Sequence, residues 1–141
     1  MNASPFVRSL ARKSQRAMRS ARLGLEDGDP AVAINRAYFA MFNIARAALL
    51  CAGVPEDRLP SEHKELIAAF RQYAVQTGQI DRDLAGVLNK TENLRLQADY
   101  TGTEIESEFA ADAVRRAEAF VKTIERTFAL HVAAKSSDAD A

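Results

Sequence analysis

The sequence predicts an all-α fold, an up-and-down bundle of four to five helices. Three observations carry that expectation. Apolar residues recur at helical spacing in five successive segments, capping or breaking residues bracket those segments, and no stretch alternates as a strand does. Short connections favour antiparallel neighbours. At 141 residues, 48% of them hydrophobic, the chain can build one core but hardly two. The domain is therefore placed at residues 1–132, and the small, polar stretch 133–141 is expected to be a disordered tail.

The first helix is expected from about Ser4 to Leu25, with Val7, Leu10, Ala17, Met18, Ala21 and Leu25 on one face and arginines mostly on the other. Gly24, Gly28 and Asp29 then break the pattern. Asp29 is suited to cap a second helix and Pro30 to its first position; Gly53 and Pro55 stop it after Cys51. Ile34, Ala37, Tyr38, Met41, Ala45, Ala48 and Leu49 give this helix a broad apolar stripe, which Phe39 and Phe42 widen. Such a helix is central, or else half of it faces another subunit.

Ser61 is a possible cap for a third helix carrying Leu66, Ile67, Phe70, Tyr73 and Ala74, with Gly78 as its stop. Asp81 opens a fourth, with Leu84, Val87, Leu88, Leu94 and Ala98 inward and Gly102 after it. Thr103 and Glu106 have capping-box spacing for a fifth, whose buried stripe is Phe109, Ala113, Ala117, Phe120, Ile124 and Phe128.

Composition removes several classes of function. No stretch approaches the ~20 apolar residues of a membrane span, and no secretory leader is recognisable, so the expectation is a cytoplasmic protein with no membrane contact. The single cysteine, Cys51, ends an apolar run and is expected to be a buried free thiol. His63 and His131 lie too far apart for a local metal motif, so neither metal nor cofactor is expected. Gly-rich phosphate loops, H-E-x-x-H, nucleophile elbows and repeated Glu-x-x-His are all missing. Net charge is zero, yet Arg8, Arg12, Lys13, Arg16, Arg19 and Arg22 precede any acid, and Glu104, Glu106, Glu108 and Asp112 cluster late. The basic first helix is compatible with nucleic acid, with a solvated face, or with pairing to the acidic stretch.

Two clusters remain that could carry chemistry. Asn35 and Arg36 interrupt the apolar second helix, with Tyr38 two residues on. Arg95 and Asp99 share one face of the fourth helix, with Tyr100 beside them. An arginine facing a bundle interior needs a partner, because an unpaired buried charge is costly. One reading is an internal polar network of Asn35, Arg36, Arg95 and Asp99 that fixes helix register. The other is a cleft in which Arg95, Asp99 and Tyr100 are candidate catalytic residues and Asn35, Arg36 and Arg95 bind a nucleotide or RNA.

At these clusters the sequence resembles the HEPN superfamily, helical domains found alone or with nucleotidyltransferases. The match is to the bacterial and archaeal subfamily with an Arg-x-x-Ala-Asp-Tyr signature. Asp29 to Phe42, containing Asn35-Arg36-Ala37-Tyr38-Phe39-Ala40, resembles the family's A-x-x-R-A-Y-Y-A-x-F segment. His63-Lys64-Glu65-Leu66 followed by Phe70 resembles H-x-G-L…F, with Glu65 where glycine is usual, and Val75 to Ile80 resembles the F-V-K-T-G-x-I turn. Leu94 to Tyr100 supplies the L-R-x-x-A-D-Y element, so the motifs cover roughly residues 6 to 128 in order.

The resemblance implies a homodimeric bundle. Many HEPN proteins are metal-independent ribonucleases or toxins whose catalytic arginine is followed four to six residues later by histidine. Others bind or regulate a minimal nucleotidyltransferase in toxin–antitoxin pairs, and in some the partner adenylylates a tyrosine. Here Arg95 matches the arginine, but Asp99 and Tyr100 occupy the place of the histidine, and none lies between Arg95 and His131. An aspartate lacks the near-neutral proton exchange of imidazole. The expectation is therefore a binding or regulatory HEPN protein, a homodimer partnering a minimal nucleotidyltransferase. A ribonuclease toxin using Arg95, or a non-catalytic nucleotide- or RNA-binding module, are the alternatives.

Overall fold

The computed structural model describes residues 4–102 and 104–130. The expected tail at 133–141, Thr103 and His131 lie outside those residues. Five α-helices follow one another: α1 (Pro5–Glu26), α2 (Pro30–Cys51), α3 (His63–Phe70), α4 (Arg82–Tyr100) and α5 (Ser107–Phe128). A 3-10 turn at Glu56–Arg58 lies in the long α2–α3 connection, and α3 runs directly into a π-helical turn at Arg71–Val75. Among the described residues there is no strand.

Local chemistry sets the starts of α1, α2 and α4. Ser4 accepts from the Val7 amide (3.2 Å), Asp29 from that of Val32 (3.2 Å) and Asp81 from that of Asp83 (2.9 Å), each satisfying a donor with no intrahelical partner. Pro5 and Pro30 sit in the first turns of α1 and α2. α5 closes through Ala129 in the left-handed region, with the Leu130 amide donating to the Glu125 carbonyl at 2.7 Å.

Side-chain pairings fix the directions. Ser14 Oγ donates to the Ala40 carbonyl at 2.8 Å, while Gly24 lies against Ala33, so α1 and α2 are antiparallel. Asn35 meets Asp99 and Tyr38 meets Arg95, making α4 antiparallel to α2. Gln15 reaches Glu125 and Arg22 reaches Glu118, making α5 antiparallel to α1. The result is the expected up-and-down bundle, with α3 as a short extra helix. α2 lies at its centre: Ile34, Ala37, Met41, Ile44, Ala45, Ala48 and Leu49 are fully buried, and α2 packs on all four other helices. Its wide apolar girth is thus used within the chain.

Several details differ from expectation. Gly24 does not break α1 but lies inside it; a Cβ there would come within 3.0 Å of the Ala33 nitrogen, so glycine permits the close crossing with α2. Cys51 is exposed, because α2 runs out of the core in its last turn. Ser61 does not cap α3, which starts at His63 after Glu62 with no side-chain cap bond; the preceding Pro60 carbonyl is held by Arg46 Nε at 2.9 Å. Tyr73 turns outward, because the π turn advances the helical phase and gives the inward place to Ala74. α5 begins at Ser107 with Glu106 at its cap position and no side-chain cap bond from it; Thr103, the other half of the expected box, lies outside the described residues. Phe109 is 57% exposed, because its neighbour Ala110 takes the fully buried place in the first turn of α5.

Candidate functional site

The two clusters meet along the seam between α2 and α4. On α2, Asn35, Tyr38, Phe39 and Phe42 share one face at i, i+3, i+4 and i+7; on α4, Asn89, Glu92, Arg95 and Asp99 share one face at steps of three, three and four. Antiparallel packing therefore sets one row against the other.

Arg95 is the hub. Its guanidinium forks onto Glu92, with Nε donating to Oε1 at 2.7 Å and Nη2 to Oε2 at 3.2 Å. Nη1 donates to Asp99 Oδ2 at 3.1 Å. That same oxygen accepts from Asn35 Nδ2 at 3.1 Å, and Asn35 Oδ1 accepts from Arg36 Nε at 3.0 Å. The Arg95 guanidinium carbon lies 5.2 Å from the Tyr38 ring centroid and 5.3 Å from that of Phe39, so aromatic faces support it from α2. Arg36 lies over the other part of this platform, 5.4 Å from the Phe39 centroid.

A second chain of bonds joins from α3. The Tyr38 hydroxyl lies 2.8 Å from His63 Nδ1, and His63 Nε2 lies 3.0 Å from Asn89 Oδ1. An amide oxygen only accepts, so Nε2 donates to Asn89; in the tautomer protonated there, Nδ1 accepts from the Tyr38 hydroxyl. His63 thus ties the first turn of α3 to α2 and α4 together.

Two protonation equilibria are shifted. Hydrogen bonding to Glu92 holds Arg95 still more firmly protonated than usual, with smaller contributions from Glu92's charge, Tyr100 and Asp99, against an opposing effect of burial. Burial pushes the Tyr38 phenol well above its ordinary value, Glu92's charge adds to the rise, and Arg95 opposes it. Arg36 and Arg95 against Glu92 and Asp99 leave the seam formally neutral.

Of the residues singled out from sequence, Asn35, Arg36, Arg95 and Asp99 form one connected network. Tyr100 is its outermost member, 74% exposed at the end of α4. Glu92 and Asn89 were not foreseen; His63 stands in the first turn of α3, as its position in the sequence suggests, and is supplied to the seam from that helix. The three-residue step from Glu92 to Arg95 on a half-apolar helix is the signal that could have found Glu92. The arrangement binds a guanidinium tightly between carboxylates, and it brings an imidazole to the far side of the Tyr38 ring. Among the described residues, no three His, Cys, Asp or Glu side chains lie together as a metal site, and no helix is long and apolar enough to cross a membrane.

Comparison with known proteins shows what the chain as a whole is similar to. The family model described as HEPN domain matches residues 7–127. A UPF0332 protein of Thermotoga maritima is 32% identical over 116 residues, covering 82% of this chain and 85% of the relative. A protein of Methanocaldococcus jannaschii named "Putative toxin" is 35% identical over 94 residues, 67% of each chain. A UPF0332 protein of Gloeobacter violaceus is 27% identical over 99 residues, covering 70% of this chain and 75% of its own.

Proposed function

The chain belongs to the HEPN domain family, and from that membership we propose that it is the HEPN component of a toxin–antitoxin or stress module. In this reading it is a homodimer that binds and regulates a minimal nucleotidyltransferase, acting in the cytoplasm by association and not by cleaving RNA. Relatives named as toxins support the kind of module. The observation that carries the non-hydrolytic reading is the state of Arg95. Nε and Nη2 are committed to Glu92 and Nη1 to Asp99, so a phosphate approaching the guanidinium would meet two carboxylates first. The dimer is supported by apolar surface beside the network, where Leu96 is 39% exposed and Tyr100 74%.

One observation favours a second reading, a metal-independent ribonuclease toxin. His63 is linked through Tyr38 to the ring that supports Arg95, so an imidazole does belong to the seam. If Arg95 exchanged Asp99 for a phosphate, Tyr100, Tyr38 and, through Tyr38, His63 would be the candidate groups for proton transfer.

The test is growth on inducing the chain alone, beside Arg95→Lys and His63→Ala at matched soluble levels. Lysine keeps the charge but cannot fork. Equal growth in all cases, with co-purification of a nucleotidyltransferase co-expressed from the neighbouring gene, is the expected result. Growth arrest by the parent chain that both substitutions abolish, with RNA cleaved in EDTA, would replace this reading with the ribonuclease.

A further inference from the structure

Away from the α2–α4 seam, α1 and α5 enclose a groove with a cavity of about 230 Å3. Its walls are Met18 and Val121, both almost wholly buried. At its inner side lies Glu125, only 8% exposed. Gln15 Nε2 donates to Glu125 Oε2 at 3.2 Å; among the described residues Glu125 has no further hydrogen bond and no ion pair. Buried carboxylate oxygens are ordinarily hydrogen-bonded. Among the described residues no buried side-chain oxygen lacks a partner, so Oε1, with no bond of its own, is open to the groove. At the groove's mouth stand Arg19 and Lys122, together with Arg22, which already pairs with Glu118.

The groove therefore brings together three chemistries: an acceptor-only carboxylate, a narrow apolar slot, and cations at the rim. A carboxylate with open lone pairs selects N–H donors, best as a planar pair. An apolar slot between Met18 and Val121 selects a flat or slender body. Cations at the rim select an anionic group attached to it.

We propose that the α1–α5 groove is a binding site for a small ligand that joins a planar pair of N–H donors to an anionic group, the donors seated on Glu125 and the anion at Arg19 and Lys122. Guanine nucleotides meet this description through N1–H, the 2-amino group and phosphate. Free arginine meets it through its guanidinium and carboxylate. Adenine nucleotides do not, because the corresponding edge of adenine presents a lone pair at N1 to the carboxylate. Agmatine, which is arginine without the carboxylate, lacks the anionic end.

The experiment is calorimetric titration of the full chain with 5′-GMP, L-arginine, AMP and agmatine. The expected result is 1:1 binding of 5′-GMP or L-arginine with a Kd between about 1 μM and 1 mM, and at least tenfold weaker binding of its control. Glu125→Gln, which preserves side-chain shape, should weaken that ligand by about 10- to 100-fold, the scale of hydrogen bonds to a charged acceptor. Lys122→Glu alters only an exposed rim residue and should also weaken it, with the melting temperature held. Which of the two ligands binds identifies the source. No binding of either at low-millimolar concentration, AMP binding as well as 5′-GMP, or affinity that survives Glu125→Gln within about twofold would overturn the proposal.

Discussion

Glu92 and Arg95 keep only 11% and 13% of their side-chain surface in water, so neither charge can lose the other cheaply. Removing one member of such a pair leaves the other desolvated and unpaired, at a cost of about 3 kcal/mol. Arg95→Ala should accordingly lower unfolding free energy in urea by about that amount, whereas Arg95→Met combined with Glu92→Leu should recover most of it. A loss below about 1 kcal/mol for Arg95→Ala would mean the seam is solvated and the pair is not structural. Tyr38 gives a prediction with a definite sign. Its pKa is raised in the folded state, so the unfolded chain releases the phenolic proton first as pH rises. The stability contributed by neutral Tyr38 is fully present below the ordinary tyrosine pKa of about 10 and should decline as pH climbs above it. Tyr38→Phe should cost about 1 kcal/mol at neutral pH through the lost bond to His63, and should flatten this alkaline slope. Equal alkaline slopes in parent and variant would place the linkage on other groups.

At the scale of the helices, the α1–α2 crossing depends on a missing side chain. Ordinarily Gly→Ala within a helix stabilises by about 1 kcal/mol. At Gly24 the new Cβ would lie 3.0 Å from the Ala33 nitrogen and 3.2 Å from its Cα, both backbone atoms that move only with α2 itself. Gly24→Ala should therefore be net destabilising by about 1–3 kcal/mol, seen as a lowered midpoint in urea with the m-value unchanged. A stabilised variant would show that the two helices separate freely. Gly24 also marks the boundary of what was legible in the sequence. The caps at Asp29 and Asp81 were legible because a cap is decided by a few adjacent residues. The α4 polar face was half legible, since Arg95 and Asp99 are one turn apart, while Glu92 and Asn89 gained meaning only once α2 and α3 supplied Tyr38 and His63. Gly24 within α1, the π turn that turns Tyr73 outward and the exposure of Cys51 and Phe109 were not legible. Each depends on how one helix meets another, which periodicity along a single helix does not encode.

For the whole molecule the open quantity is how many chains the working unit contains. The breadth of α2, which from sequence alone could equally have served a second subunit, is consumed by α1, α3, α4 and α5 of the same chain. A homodimer must therefore draw on residual surface, and two faces compete. One is the outer side of α4, where Leu96 and Tyr100 are exposed beside Asp99 and Arg95. The other is the groove between α4 and α5, a cavity of about 350 Å3 flanked by Leu94 and the exposed Phe109. The first is preferred because it would bury the apolar residues next to the polar network and place two copies of Arg95 near one symmetry axis, since an isologous contact repeats each residue across the two-fold. Light scattering at micromolar concentration should then give a dimer that Leu96→Glu converts to monomer, while Phe109→Ser leaves it intact. A dimer broken by Phe109→Ser and not by Leu96→Glu would move the interface to the α4–α5 groove and leave the Arg95 seam open in the assembled protein. A monomeric parent chain would remove the homodimer altogether, and regulation of a nucleotidyltransferase would then have to rest on a one-to-one contact with Leu96 and Tyr100 as its natural anchors.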